Sequence, residues 1–374
     1  MTLPDQVEAE LPLRGELLVG TYTEKLPFVT GTAPGILSCS YEDGVVGPPA
    51  LLAKARNPSW LTITGSGRNV YAIHEVGDFE GQRAGGVTGY ARDPGTGELA
   101  SLGSHSSGGL SPAHVAVCGP EQYVLVANYD SGSVAVFGTG ADGALTRLAG
   151  LRQHVGSGAD PERQAGPHAH MVCPDPVTGR VLVADLGLDM VLSYDLGTDG
   201  TLTERVAQRI ICPPGAGPRH IAFHPDGRHL FVLNEINSTL ITLRREGTRF
   251  VQSGSTATLP EDCTQHSEAA EVRVSASGRY VFASNRGFDS IAMLALDPGS
   301  GTLTLVHVEP TRGREPRAFC QTPDGRYLLV ANQDSHSIVT LAIDEDAPAL
   351  RAVSSTTVPS PVCLAFAPVA AAQP

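Results

Sequence analysis

The sequence predicts an all-β fold, a seven-bladed β-propeller of four-stranded antiparallel blades, with the last blade closed by both chain ends. Three observations predict it. One unit recurs along the chain, each unit breaks into short apolar runs separated by Gly-bearing turns, and the final unit is split between the termini.

The unit is a Pro-containing approach, an apolar run, a turn, a second apolar run, and then Asn or Asp. It reads NPSWLTITGSGRNVYAIHEV from Asn57, SPAHVAVCGPEQYVLVANYD from Ser111 and GPHAHMVCPDPVTGRVLVADLG from Gly166. It continues as GPRHIAFHPDGRHLFVLNEI from Gly217, AAEVRVSASGRYVFASNRG from Ala269 and EPRAFCQTPDGRYLLVANQD from Glu315. Aligned on Pro58, Pro112, Pro167, Pro218, Ala270, Pro316 and Pro361, the spacings are 54, 55, 51, 52, 46 and 45 residues. Such a period suits a four-stranded blade and is far too long for a leucine-rich repeat. Third strands (SVAVFGT, MVLSYDL, TLITLRR, SIAMLAL, SIVTLAI) and fourth strands (ALTRLAG, TLTERVA, TLTLVHV) follow, rich in β-branched residues and bounded by Gly turns. No segment holds a helical apolar period.

SPVCLAFAP near the C-terminus matches only a first strand, while LLVGTYT at 17–23 matches a second and GILSCSYE a third. Building one blade from both ends removes an exposed sheet edge. A single domain over 15–368 is expected, with residues 1–14 and 369–374 as loose tails.

Composition narrows the partners. The 374 residues are 41% hydrophobic, enough for a core, and 42 Gly with 28 Pro fit a turn-rich chain. A formal net charge of −13 argues against nucleic acid. No apolar stretch reaches the ~18 residues of a membrane span, and the N-terminus lacks a basic and apolar leader. Seven cysteines without CxxC spacing read as reduced, buried thiols, so a cytoplasmic location is expected. No feature assigns an oligomeric state.

In an antiparallel blade the start of the first strand and the end of the second share one face, and the innermost strand lines the central channel. Directly after the aligned Pro or Ala stand Ser59, Ala113, His168, Arg219, Glu271, Arg317 and Val362. Four successive blades thus carry a polar, ionisable group, and His170 and Arg273 follow two residues on, on the same strand face. The second strands end in Thr21, His74, Asn128, Asp185, Asn234, Asn285 and Asn332, which turn-backbone bonding explains. The next residues, Tyr22, Glu75, Tyr129, Leu186, Glu235, Arg286 and Gln333, vary as a ligand site would. His168, Arg219, Glu235, Arg273, Arg286 and Arg317 are therefore expected in one sector. The long loops RQHVGSGADPERQAGPHAH and LPEDCTQHSEAA fall on that face, as rims or as tolerated insertions.

GPHAH, GPRHIAFHPDGRHLFVLNE, EVRVSASGRYVFASNRG and EPRAF, in that order across the chain, resemble the seven-bladed propeller lactonase family. That family includes bacterial 6-phosphogluconolactonases and fungal carboxymuconate-lactonising enzymes. The resemblance implies His168, Arg219, Glu235 and Arg286 as catalytic residues and a small anionic lactone as substrate, 6-phosphogluconolactone first. His170, His220, Glu271, Arg273 and Arg317 are the expected substrate-binding residues. Arg forks suit phosphate or carboxylate, and lactone hydrolysis needs an activated water, an oxyanion partner and a proton donor. Either Glu235 or His168 is the base, the other a shuttle, and Arg219 or Arg286 meets the oxyanion.

No nucleotide fingerprint or GxSxG elbow is present, and no cofactor is expected. A divalent metal on His168, His170, His220 and Glu235 is the chemical rival, disfavoured because the surrounding arginines repel a cation. Another sugar or carboxymuconate lactone is the alternative substrate. A non-enzymatic binding scaffold is the other class, but the mouth offers Tyr22 and Tyr129 as its sole aromatic anchors.

Overall fold

The computed structural model describes residues 14–119 and 122–368, which form one ring of seven antiparallel sheets. The innermost strands of the first six blades are Leu61–Ile63, Pro112–Cys118, Ala169–Pro174, Pro218–Phe223, Glu268–Val274 and Pro316–Gln321. Each packs against the next, and the circle closes through Pro361–Phe366. Among the described residues the helical segments are two 3-10 turns, Leu186–Leu188 and Val206–Gln208. Among the described residues no helix is long and apolar enough to cross a membrane.

Burial explains the strand sequences. Second strands have both faces covered by neighbouring blades, so Val181–Asp185 is buried throughout. Outer strands see solvent on alternate residues, and Ala349–Thr357 alternates accordingly. The core is thus a set of wedges between blades, such as Ala127, Val134 and Val136 against Val172, Val183 and Tyr194. Between first and second strands, PDG turns repeat one device. The Asp226 carboxylate accepts the Arg228 N–H at 2.6 Å, and Gly227 takes φ +69°, a conformation that suits glycine.

The closing blade has the split construction. Pro361–Phe366 pairs with Arg14–Thr21 (Leu17↔Phe366, Val19↔Leu364), which pairs in turn with Gly35–Glu42. Ser360 latches the seam, its carbonyl accepting the Tyr22 N–H at 3.1 Å and its Oγ the Thr32 N–H at 3.2 Å. The seam is tight at Gly20, where a Cβ would lie 2.6 Å from the Pro58 carbonyl oxygen. Arg14, assigned to a tail, instead opens its strand opposite Glu42; the remaining tail residues lie outside the described ones.

The ladders correct the proline alignment in two blades. Pro112, Pro218 and Pro316 do face the terminal Asn of their second strands. In the third blade it is Ala169, not Pro167, that faces Asp185, and in the fifth it is Ala269, not Ala270, that faces Asn285. A bulge follows each pair, leaving Ala113, His170, Arg219 and Arg317 as equivalent, unpaired residues re-aimed off the ladder. His170 therefore holds the position expected for His168. Glu271 lies one residue deeper than expected, level with His220.

Because the last inner strand joins two blades and caps a sheet edge, a chain ending before Ser360 should not close. Expression of that truncation should give aggregated or unfolded protein by circular dichroism. A soluble truncation with an unchanged Tm would contradict the closure.

Candidate active site

A cavity of about 550 Å³ opens at the mouth where first strands begin and second strands end. Five of the seven residues that follow the second strands line it: Glu75, Tyr129, Glu235, Arg286 and Gln333. Beneath it the channel narrows to a neck walled by the bulge residues Ala113, His170, Arg219 and Arg317 with Ser59 and Val362. The Asn residues that end the second strands are structural. Asn128 and Asn285, for example, donate to the backbone carbonyls of Ser107 and Thr258 at 3.1 and 3.0 Å.

Glu235 is the hub. It is 4% exposed and meets Arg219 Nε at 2.8 Å and Arg286 at 3.0 Å through Oε2, while Arg163 pairs with Oε1. Burial by itself would raise its carboxyl; the guanidiniums of Arg286, Arg219 and Arg163 override that and hold it down at about 2. A carboxylate so stabilised is a weak proton acceptor at neutral pH and a strong electrostatic anchor. Arg163 and Arg286 also share Glu268, the latter at 3.3 Å. Burial and the neighbouring Arg286 lower Arg219 to about 10, which still leaves it charged at neutral pH.

Below Glu235 a hydrogen-bonded line runs down the channel. Arg219 donates to His220 Nε2 at 3.1 Å, so His220 Nδ1–H faces Glu271 Oε1 at 3.2 Å. Arg273 closes the line, 3.3 Å from the same oxygen. Burial lowers His220 to about 4, which keeps it neutral and fixes this tautomer. Trp60 and His114 pack beside it, their ring centroids 5.2 and 6.1 Å from His220, and plug the channel.

The structure brings Arg219, Glu235, Arg286, Arg317 and His170 to one cavity. It does not bring His168 there: its ring stacks behind Tyr129 at 4.6 Å, and its Nδ1 is bonded to the Tyr129 carbonyl. Nor does it bring Arg273, which faces the opposite vestibule, and His220 and Glu271 lie below the neck holding Arg219. The four residues weighed as metal ligands are not gathered, since Glu235 and His220 are committed to arginines. Sequence reading missed Arg163 and Glu268, although both lie in the two long loops it singled out. Gln164 bolts the first loop to the third blade, donating to the Leu186 carbonyl at 2.7 Å and to Asp189 at 2.6 Å.

Among the described residues, several polar groups in this mouth lack hydrogen-bond partners. His170 Nδ1 and Arg286 Nε are buried without a hydrogen bond. Burial, reinforced by Arg219, pushes the His170 imidazole well below its ordinary range, so it is neutral. Arg317 makes no carboxylate ion pair among the described residues and rests on the rings of Tyr22 and Phe28, at 5.4 and 5.8 Å. Buried polar groups left unpaired around a cavity mark a ligand site.

A seven-bladed propeller with a charged, unsatisfied central cavity is thus the class defined by fold and site. The chain belongs to the seven-bladed β-propeller lactonase family, whose pattern matches residues 16–366. It is 36% identical over 353 residues to a 6-phosphogluconolactonase of Bacillus subtilis, covering 93% of this chain and 97% of that one. A Formosa agariphila 6-phosphogluconolactonase is 26% identical over 313 residues, 82% of this chain and 86% of that one. Among solved structures, the periplasmic gluconolactonase of Pseudomonas aeruginosa superposes with a TM-score of 0.89 at 32% identity, covering 96% of this chain and 100% of that chain.

Removing the hub charge should cost stability. Glu235→Gln leaves the buried Arg219 without an ion-pair partner and Arg286 with Glu268 alone, so a loss of about 3–5 kcal/mol is expected at neutral pH. In the wild type the contribution is complete above the ordinary carboxyl value of 4.5 and is lost as pH falls toward 2. Thermal scans from pH 7 to 2 should show this acid loss in the wild type and a shallower one in the variant. Equal Tm values at pH 7 would contradict the clamp.

Proposed function

We propose that this mouth is the hydrolytic centre of a sugar lactonase, with 6-phosphoglucono-1,5-lactone as substrate and 6-phosphogluconate as product, in the pentose phosphate pathway. The observation that carries the reading is one cavity lined by Arg286 Nε and His170 Nδ1, both without a hydrogen bond, and by Arg317, which rests on aromatic rings and makes no ion pair among the described residues. Arg317 takes the phosphate, being the guanidinium of this mouth that makes no direct ion pair among the described residues. Acidic side chains on the wall, Glu75, Asp130, Glu315 and Asp334, accept hydrogen bonds from the sugar hydroxyls. Arg286, aligned by Glu235 and Glu268, supplies N–H donors to the lactone carbonyl oxygen as it gains charge.

His170 is the proton acceptor in this arrangement. Its ring nitrogen Nδ1 has no partner among the described residues, whereas both oxygens of Glu235 are taken by guanidiniums. Water attacks the carbonyl carbon while His170 takes its proton; the tetrahedral intermediate then expels the ring oxygen, which receives that proton. Glu235, Arg219 and His220 hold the geometry. The free thiols fit a reducing, cytoplasmic setting, five of the seven being buried. A specific observation favours unphosphorylated gluconolactone as a second reading: carboxylates outnumber guanidiniums on the cavity wall.

A hydrolysis panel of phosphorylated and unphosphorylated gluconolactone decides between them. Arg317→Met should raise KM for the phosphorylated lactone at least ~10-fold with kcat less affected, since a phosphate bond kept from ground to transition state is uniform binding. Unchanged phosphate preference would move the phosphate elsewhere. His170→Asn should lower kcat by roughly 10²–10⁴-fold, with His168→Asn much less damaging. The kcat/KM profile should lack an acid limb near 6.5, the ordinary imidazole value, because the His170 imidazole titrates well below it. The reverse ranking of the two histidine variants, or a limb near 6.5, would remove His170 from the role of base.

A further inference from the structure

The channel has a second vestibule of about 500 Å³ at its other end, lined by residues late in the inner strands. Its lining differs from that of the first in kind. Among the described residues one guanidinium, Arg273, faces it, and no carboxylate does. Apart from Thr62, His114 and Gln321 the rest of the wall is apolar, with Trp60 and Phe366 beside the thiols of Cys320 and Cys363. Burial pushes both thiols up to about 12, so they add no negative charge.

Arg273 is held for binding. Glu271, 2% exposed beneath it, forms an ion pair with its Nε side at 3.3 Å, and no nitrogen of the guanidinium has a hydrogen-bond partner among the described residues. The side chain remains 42% exposed toward the vestibule. A guanidinium paired with a carboxylate on its Nε side presents its two terminal nitrogens as a planar fork, which matches a second carboxylate in bidentate geometry. A second, independent group points the same way. His114 lines the vestibule, is 5% exposed, and its Nδ1 has no hydrogen-bond partner. Burial holds this imidazole well below its ordinary range, so it is neutral and repels no anion. Its ring lies 4.6 Å from that of Trp60, which forms a flat apolar wall next to the fork.

We infer that this vestibule is a second ligand site, taking a small monocarboxylate with a planar apolar body. The carboxylate docks on the Arg273 fork, and the body lies against Trp60. The site stands apart from the lactone cavity, with the Trp60, His114 and His220 rings between the two, and it does not rest on the lactonase reading.

Trp60 is the one tryptophan in the chain, so its fluorescence reports the site directly. Benzoate titrated into the full-length protein should change the Trp60 emission saturably, whereas benzyl alcohol, which has the ring without the charge, should not. Saturating 6-phosphogluconate should leave the benzoate affinity unchanged. Arg273→Met should weaken benzoate by about tenfold or more, the scale of one lost bidentate pair, and Arg317→Met should not. Arg273→Lys, which keeps the charge and the Glu271 partner but loses the fork, decides the matter should the methionine variant not fold: its affinity should also fall. Equal responses to benzoate and benzyl alcohol, competition by 6-phosphogluconate, or wild-type affinity in the lysine variant would overturn the site.

Discussion

The Glu235 carboxylate among three guanidiniums is the interaction on which the rest of the centre depends. Arg219 at 2% exposure and Arg286 at 9% are charges that cannot be buried singly, and the Born cost of each exceeds anything packing returns. Glu235 offsets that cost for two blades and one loop at once, so it fixes the loop carrying Arg163 as well as both strand ends. The propeller makes this possible. Its inner strands converge, and residues far apart in sequence arrive side by side at one ring position. The same convergence explains why neutral His220 and ionised Glu271 continue the line below the neck, each satisfying the next.

Electrostatics then divides the channel. The upper mouth holds many carboxylates against few arginines, a surface suited to a polyhydroxylated molecule with one anionic end. The lower vestibule has a single cation and apolar walls. The packed rings of Trp60, His114 and His220 lie between the two. Enclosure matters for hydrolysis, because donors aimed at a developing oxyanion act most strongly where bulk water is excluded.

Much of the fold was legible in the sequence, and the reason is periodicity. Each blade buries the same faces, so Val, Leu and Ile recur in the same places, and the split last unit announced the closure at Pro361–Phe366. The position after each second strand was also readable, through the chemical spread of Glu75, Tyr129, Glu235 and Arg286. The first-strand register was not fully readable. Proline marks the approach to a strand, but hydrogen bonds set the ladder, and in the third blade Pro167 precedes the paired Ala169 by two residues. That offset exchanges His170 for His168, and a one-residue slip in the fifth blade lowers Glu271 to the level of His220. Arg163 left no repeat signal at all, since it comes from an insertion with no counterpart in the other blades. The DPER turn, in which Asp160 accepts the Arg163 N–H at 3.0 Å, was the available local clue.

On the proposed reading Arg286, Arg317 and His170 surround the lactone in the upper mouth. A crystal structure with a lactam analogue of 6-phosphoglucono-1,5-lactone, which resists hydrolysis, tests it most directly. The account predicts the lactam carbonyl oxygen within hydrogen-bond distance of Arg286, the phosphate on Arg317, and a water between His170 and the carbonyl carbon. An analogue bound in this mouth with its phosphate away from Arg317 and its carbonyl away from Arg286 would contradict the account, as would an analogue bound anywhere else on the ring.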